Sequence, residues 1–259
     1  MGRRFDGKAA IVTGSSSGIG KATALRLAAQ GAAVCVVANH NVEGAEATVR
    51  EIADGGGRAV FVHADVSQAD DGTRIVADTL GAFGRVDVLV NNAGITRGAP
   101  LDQLDEALWD LVLGTNLKSA YLMSRAAVPD MLSRGWGAVV NISSVHAEQT
   151  YPRYAVYAAS KAGLGGLTRG LALEFGSRGI RFNCILPGTI DISIHSRRNA
   201  PVDRSAWQPR ASDTQVMKRC GSPDEIAAAV CFLASDESSF VNGATLAVDG
   251  GQLGLFKDH

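Results

Sequence analysis

The chain predicts a single α/β domain over residues 1–259, with a doubly wound, seven-stranded parallel sheet and helices on both faces. Three observations carry that reading. Short apolar runs alternate with segments of helical period from one end to the other. The runs are almost wholly apolar instead of alternating with polar residues, which is the pattern of strands covered on both faces. No linker, internal repeat or low-complexity tract divides the 259 residues, a length that fits one large domain. A βαβα order with right-handed crossovers then gives an open, doubly wound sheet.

The elements follow in order. Residues 9–13 (Ala-Ala-Ile-Val-Thr) read as a strand and 19–30, rich in alanine and leucine, as the helix after a glycine-rich turn. Residues 33–37 are a strand, and 42–53, with Val42, Ala45, Val49 and Ile52 on one stripe, a helix. Strand 59–63 precedes helix 69–83, and strand 86–90 precedes a long helical stretch over 104–132. Pro129 lies inside that stretch, where a proline kinks or divides a helix. Strand 138–142, helix 155–175, strand 180–186, helix 223–234 and strand 244–248 complete the order. Residues 191–217 show no periodicity and hold Arg197, Arg198, Pro201, Trp207 and Pro209. They follow the C-terminal end of a strand, where open α/β sheets bind ligands, so they are expected to form a lid over a substrate.

Bulk composition excludes several function classes. Apolar residues make up 46%, charged residues 20%, and the formal net charge is -1. With no basic block, nucleic acid is not an expected partner. The longest apolar stretch, around residues 32–38, is far too short for a membrane span. The start, Met-Gly-Arg-Arg-Phe-Asp-Gly-Lys, has no apolar segment of a secretory signal. Cys35, Cys184, Cys220 and Cys231 are scattered and read as reduced thiols, so a cytoplasmic setting is expected. No His, Cys or Asp cluster has metal-ligand spacing, and no catalytic metal is expected.

The chemistry centres on Tyr157 and Lys161. Four residues apart on a helix, a phenol and an ammonium share one face. Bringing a tyrosine from ~10 to ~7 needs roughly 4 kcal/mol of differential stabilisation, which a nearby cation favours. Such a phenol moves a proton to or from an alcohol oxygen at neutral pH. Near the start, Thr13-Gly14-Ser-Ser-Ser-Gly18-Ile-Gly20 sits between a strand and a helix. Gly14 allows a tight turn, Gly18 and Gly20 allow close approach, and the helix start attracts phosphate. The spacing is not the Gly-x-Gly-x-x-Gly of other dinucleotide folds. A nucleotide beside an activated phenol suggests hydride transfer with a carbonyl or alcohol.

These motifs, in this order, resemble the short-chain dehydrogenase/reductase family, over about residues 8–251. They are the glycine loop, Asn91-Asn92-Ala93-Gly94, Asn116 in Gly-Thr-Asn-Leu, Ser144 thirteen positions before Tyr157, Tyr-Ala-Ala-Ser-Lys ending in Lys161, Pro187-Gly188, and Val248-Asp249-Gly250-Gly251. The resemblance implies a Rossmann-type domain and a nicotinamide dinucleotide. It makes Tyr157 the acid/base, Lys161 its activator and a ribose ligand, Ser144 the partner of the substrate oxygen, and Asn116 the holder of a water leading to Lys161. It places the cofactor on Gly14, Ser16, Ser17, Gly18, Ile19 and Gly20, on Asp65 and Val66 at the adenine, on Asn92, Ala93 and Gly94, and on Pro187, Gly188 and Ile190. The alternative reading of Asp65 is a helix cap. The family often has threonine four residues after Pro-Gly; here that position is Ile192, which puts a hydroxyl contact to the carboxamide in doubt.

Ala38, Asn39 and His40 occupy the slot where an acid would bind the adenosine ribose and repel a 2′-phosphate. With no acid there, NADP(H) is favoured and NAD(H) remains possible. His146 and Tyr154 are expected at the substrate pocket, with Ser144 and Tyr157; Val145-His146 resembles glucose dehydrogenases of the family. Arg97, Arg153 and the Arg197-Arg198 pair are candidate attractors of an anionic substrate or plain surface charge. The family implies a homotetramer. An NAD-linked sugar or polyol dehydrogenase and a nonenzymatic dinucleotide sensor are the alternative readings.

Overall fold

The computed structural model describes residues 4–192 and 215–254. Seven strands form one parallel sheet: β1 (Ala9–Thr13), β2 (Ala33–Ala38), β3 (Arg58–His63), β4 (Val88–Asn91), β5 (Gly137–Ile142), β6 (Ile180–Pro187) and β7 (Thr245–Val248). Their spatial order is β3-β2-β1-β4-β5-β6-β7. The chain winds outward in one direction from β1 and in the other from β4. The reversal between these two neighbours is the switch point at which such sheets bind ligands.

Why the strands read as continuous apolar runs is visible in the packing. In β1, Ala10 and Val12 enter the core on one face with Leu27, Val34, Val36 and Ile226. Ile11, between them, enters the other with Cys35, Val37, Ile75, Met123 and Phe182. Period-2 alternation here divides residues between two cores instead of between core and water. The edge strands differ: β3 has exposed ends at Arg58 and His63, and β7 is mostly exposed.

The helices are α1 (Gly18–Ala29), α2 (Val42–Asp54), α3 (Ala69–Phe83), α4 (Glu106–Leu113), α5 (Ser119–Arg134), α6 (Ala155–Phe175) and α7 (Pro223–Ala234). The stretch predicted over 104–132 departs from expectation. Its irregularity is a π-helical turn at Gly114–Lys118, and α5 runs on through Pro129 to Arg134. The stretch predicted as a lid falls largely on residues 193–214, so Arg197, Arg198, Pro201, Trp207 and Pro209 lie outside the described residues. Among the described residues, no helix is long and apolar enough to cross a membrane.

Candidate active site

Three C-terminal strand ends converge. The loops after β1 and β4 are joined through Thr13, whose Oγ1 accepts the N–H groups of Asn92 and Ala93, each at 3.0 Å. The Asn92 amide donates to the carbonyls of Thr13 (2.8 Å) and Gly14 (3.1 Å). Asn92 therefore lines the cleft while its amide protons are used inside the protein. Thr13 carried no assigned role in the sequence reading; nothing in its own type announces a residue that welds two loops.

From β5, Ser143 and Ser144 leave in different directions. Ser143 donates to the Lys161 carbonyl at 2.7 Å and so anchors α6. Ser144 accepts the His146 N–H at 3.2 Å, which leaves its own proton to donate. On α6, Tyr157 and Lys161 are both buried. The Lys161 ammonium donates to the Ile142 carbonyl at 2.9 Å and lies 5.9 Å from the Tyr157 ring centre. Burial pushes the Lys161 ammonium down to about 8, against a weak opposing influence of Cys184. Below α6, a buried chain of hydrogen bonds runs from Asn91 to Asn141 (2.8 Å) and on to Thr168 (2.9 Å), fixing the helix over the sheet.

Asn116 lies in the π turn. Its Oδ1 accepts the Ile95 N–H at 2.8 Å, and its Nδ2 donates to the Ile95 carbonyl and to Ser160 Oγ. Ser160 in turn donates to the Tyr157 carbonyl at 2.6 Å. The amide thus links the β4 loop to α6.

One cleft of about 350 Å³ gathers Gly14, Ser17, Gly18, Ile19, Asn92, Ala93, Gly94, Ser144, Tyr157, Lys161, Pro187, Gly188, Ile190 and Ile192. Its shape depends on missing side chains. A Cβ on Gly14, already at φ +64, would stand 2.9 Å from Ala93 Cα, and one on Gly94 would crowd Asn116 Oδ1 and Lys161 Nζ at 3.2 and 3.4 Å. Ser17 precedes α1 without a side-chain cap, and the first turn of α1 holds no acid. Its leading N–H groups are thus capped neither by Ser17 nor by an acid of the first turn, which suits a diphosphate. Farther out, Ala38 is buried at the end of β2, while Asn39 and His40 lie nearer solvent. Asp65 Oδ1 accepts from the Ser67 N–H and hydroxyl, and the N-cap position of α3 is Gln68, whose side chain makes no capping bond.

His146 and Tyr154 stand beside this cleft. The His146 ring lies 5.5, 5.4 and 5.3 Å from the rings of Tyr151, Tyr154 and Tyr157, and its Nδ1 is 2.9 Å from Thr150 Oγ1. Burial lowers its pKa, so the ring is neutral near pH 7. Among the described residues, no three His, Cys, Asp or Glu side chains gather as metal ligands do.

A family model described as enoyl-(acyl carrier protein) reductase matches residues 14–252, nearly the whole chain. The chain belongs to the short-chain dehydrogenase/reductase family. This short-chain dehydrogenase/reductase is 43% identical over 248 residues to 3beta-hydroxysteroid dehydrogenase 1 of Eggerthella lenta, covering 95% of this chain and 93% of that one. It is 41% identical over 252 residues to cis-4-hydroxycyclohexanecarboxylate dehydrogenase of Sinomonas cyclohexanicum (97% and 98% covered). Among solved structures it superposes with a TM-score of 0.88 on a gluconate 5-dehydrogenase from Burkholderia cenocepacia J2315 in complex with NADP and tartrate, at 36% identity over 98% of this chain and 99% of that one. As a short-chain dehydrogenase/reductase it is an oxidoreductase that moves a hydride between a nicotinamide dinucleotide and an alcohol or carbonyl. The glycine cradle and uncapped start of α1 fit such a cofactor.

Proposed function

We propose that Tyr157 is the acid/base of this reaction, with Lys161, Ser144 and Asn116 completing the catalytic set. The supporting observation is the convergence of Ser144, Tyr157 and Lys161 on the cleft that the glycine loop borders. A bound nicotinamide dinucleotide supplies or accepts the hydride. In reduction Tyr157 Oη gives its proton to the substrate oxygen; in oxidation it takes the alcohol proton. Ser144 donates to that oxygen and stabilises its developing charge. Lys161, its ammonium held by the Ile142 carbonyl and its main-chain carbonyl by Ser143, stabilises the phenolate. Asn116, fixed by Ile95 and Ser160, holds the water that resupplies protons to Lys161.

Gly14, Ser16, Ser17, Gly18, Ile19 and Gly20 bind the diphosphate, Asp65 and Val66 the adenine, and Ala93, Gly94, Pro187, Gly188 and Ile190 the nicotinamide half. NADP(H) is the preferred cofactor. The absence of an acid at Ala38, Asn39 and His40 supports this, and the gluconate 5-dehydrogenase relative has NADP bound. The substrate is a secondary alcohol or its ketone, as the relatives' names suggest, and His146 and Tyr154 border it. The chain works as a homotetramer: exposed Trp109, Leu111, Tyr121 and Leu173 on α4, α5 and α6 support one pairing, and exposed Phe240 and Leu246 near β7 another. Its four free cysteines, three of them buried, suit a cytoplasmic setting.

A hydride-transfer assay with both cofactors against cyclic and linear secondary alcohols tests the assignment. Turnover that vanishes in Tyr157→Phe supports it, and turnover that survives sinks it. Stronger NADP(H) use that swings toward NAD(H) in Asn39→Asp supports the cofactor reading. A monomer by light scattering at micromolar concentration would refute the tetramer.

A further inference from the structure

The turn that shapes the His146 cage is built against its own backbone preference. Tyr154 N–H donates to the Tyr151 carbonyl at 3.3 Å, closing Tyr151-Pro152-Arg153-Tyr154 into a β-turn. Pro152 occupies the second place, and Arg153, in the third, has φ +77. That is a type II turn, whose third place strongly favours glycine or asparagine. Glycine would remove the strain at no steric cost. Among the described residues, Arg153 and Lys218 are the two non-glycines with positive φ; eleven glycines take the rest.

Neighbouring structure over-determines the turn. A Cβ on Gly98 would collide with the Arg153 carbonyl and stand 3.2 Å from the Tyr154 ring, so the loop leaving β4 is pressed directly onto it. That loop carries Thr96, which lines the cleft, and Arg97, which is exposed. On its other side the turn presents Tyr151 and Tyr154 to His146, itself in ring contact with Tyr157. Arg153 is exposed, and neither it nor Arg97 has a carboxylate within ion-pair distance among the described residues. Two cations with no counter-ion among the described residues therefore stand on adjoining loops beside the cleft, one of them in a conformation its type disfavours. Strain of this sort persists where function requires the side chain.

We propose that Arg153, assisted by Arg97, binds a carboxylate on the substrate at the end remote from the reacting carbon. The physiological substrate is then a hydroxy or keto acid, not a neutral alcohol. This rests on the reading of the Ser144–Tyr157–Lys161 site and adds the substrate's charge to it. A planar guanidinium suits a carboxylate, with two parallel N–H···O bonds.

The test uses matched pairs: cis-4-hydroxycyclohexanecarboxylate with its methyl ester, and gluconate with glucitol. The expected result is that the wild type prefers the acid of at least one pair. Arg153→Gly should then raise KM for that acid about tenfold, the size of one lost charged contact, and leave the neutral partner within about twofold. Because glycine relaxes the turn, Arg153→Gly should melt no lower than the wild type, and Arg153→Asn should behave alike. A preference for the neutral member of both pairs, or an acid preference that survives both variants, would overturn the proposal. Tyr157→Phe separates the two readings: activity remaining there indicts the catalytic assignment, whereas an unchanged acid preference in Arg153→Gly indicts the carboxylate site alone.

Discussion

Helices α1 and α7 pack side by side on one face of the sheet and begin in opposite ways. At α7 every device for closing a helix start is present. Ser222 accepts the Glu225 N–H, the Glu225 carboxylate accepts the Ser222 N–H, and Pro223 fills the first helical place. Arg219 and the Ser222 N–H together hold the Glu225 carboxyl down to about 2. At α1 none of these is present: Ser17 caps nothing, the first turn has no acid, and glycines stand at positions 18 and 20. At α7 the N–H groups of Ser222 and Glu225 are bonded by side chains and Pro223 has none, whereas at α1 no side chain caps the corresponding groups. An uncapped start is not peculiar to α1, since α6 also lacks a side-chain cap and a first-turn acid; what sets α1 apart is that its first residues line the cleft beside Gly14.

Changes at the catalytic end should affect turnover and spare or raise stability, while changes at α7 should do the reverse. The largest effect is expected from Tyr157→Phe, which should lower kcat by about 10²–10⁴-fold and leave the melting temperature unchanged; steady-state kinetics and calorimetry read both. Next comes Lys161. With its folded pKa about 8, below the ordinary 10.5, the unfolded chain holds more protons between those values. Stability of the cofactor-free protein should therefore rise with pH across that window, by up to ~3 kcal/mol. Lys161→Met should remove this rise in denaturant titrations at pH 7.5 and 10 and increase stability at the lower pH, while abolishing activity. A flat wild-type profile would contradict the burial argument.

A smaller effect is expected from giving α1 the acid that α7 has. Ser17→Asp should stabilise the free protein by ~0.5–1 kcal/mol and weaken dinucleotide binding about tenfold, a loss of ~1.4 kcal/mol, in a fluorescence titration. Unimpaired binding would show that the open start of α1 serves no phosphate. Smallest is Ser222→Ala: a loss of about 1 kcal/mol and about 2–4 °C in Tm, with kcat/KM unchanged.

The sheet was legible because burial on both faces makes each inner strand a continuous apolar word, and its limits were read to within two residues. The long helical stretch was read less well. Widening one turn at Gly114–Lys118 leaves the apolar period intact on either side, so periodicity passes over it, whereas Pro129 announces a break that does not occur. In the site, Ser144, Tyr157 and Lys161 were visible through residue type and spacing. Their supports were not. The Ile142 carbonyl that holds Lys161 belongs to a backbone that every sequence shares, and Ser160 and Thr13 act through partners distant in the chain. The turn at Arg153 was hidden for a related reason: Tyr-Pro-Arg-Tyr lacks the glycine or asparagine by which such turns are recognised.

The π turn carries a consequence for insertions and deletions. Each residue in a helix advances the following side chains by about 100°. Met123, Ala127 and Met131 reach the core from α5, and Asn116 reaches Ile95, because one additional residue is accommodated between α4 and α5. Removing a residue from 114–118 would make the helix regular and keep the methionines on the core face, but it would pull Asn116 away from Ile95 and Ser160. Core register is therefore more sensitive to a deletion within regular α5 than to one in the π turn: a genetic scan should find single-residue deletions at 119–131 costing stability, and one at 114–118 costing activity first.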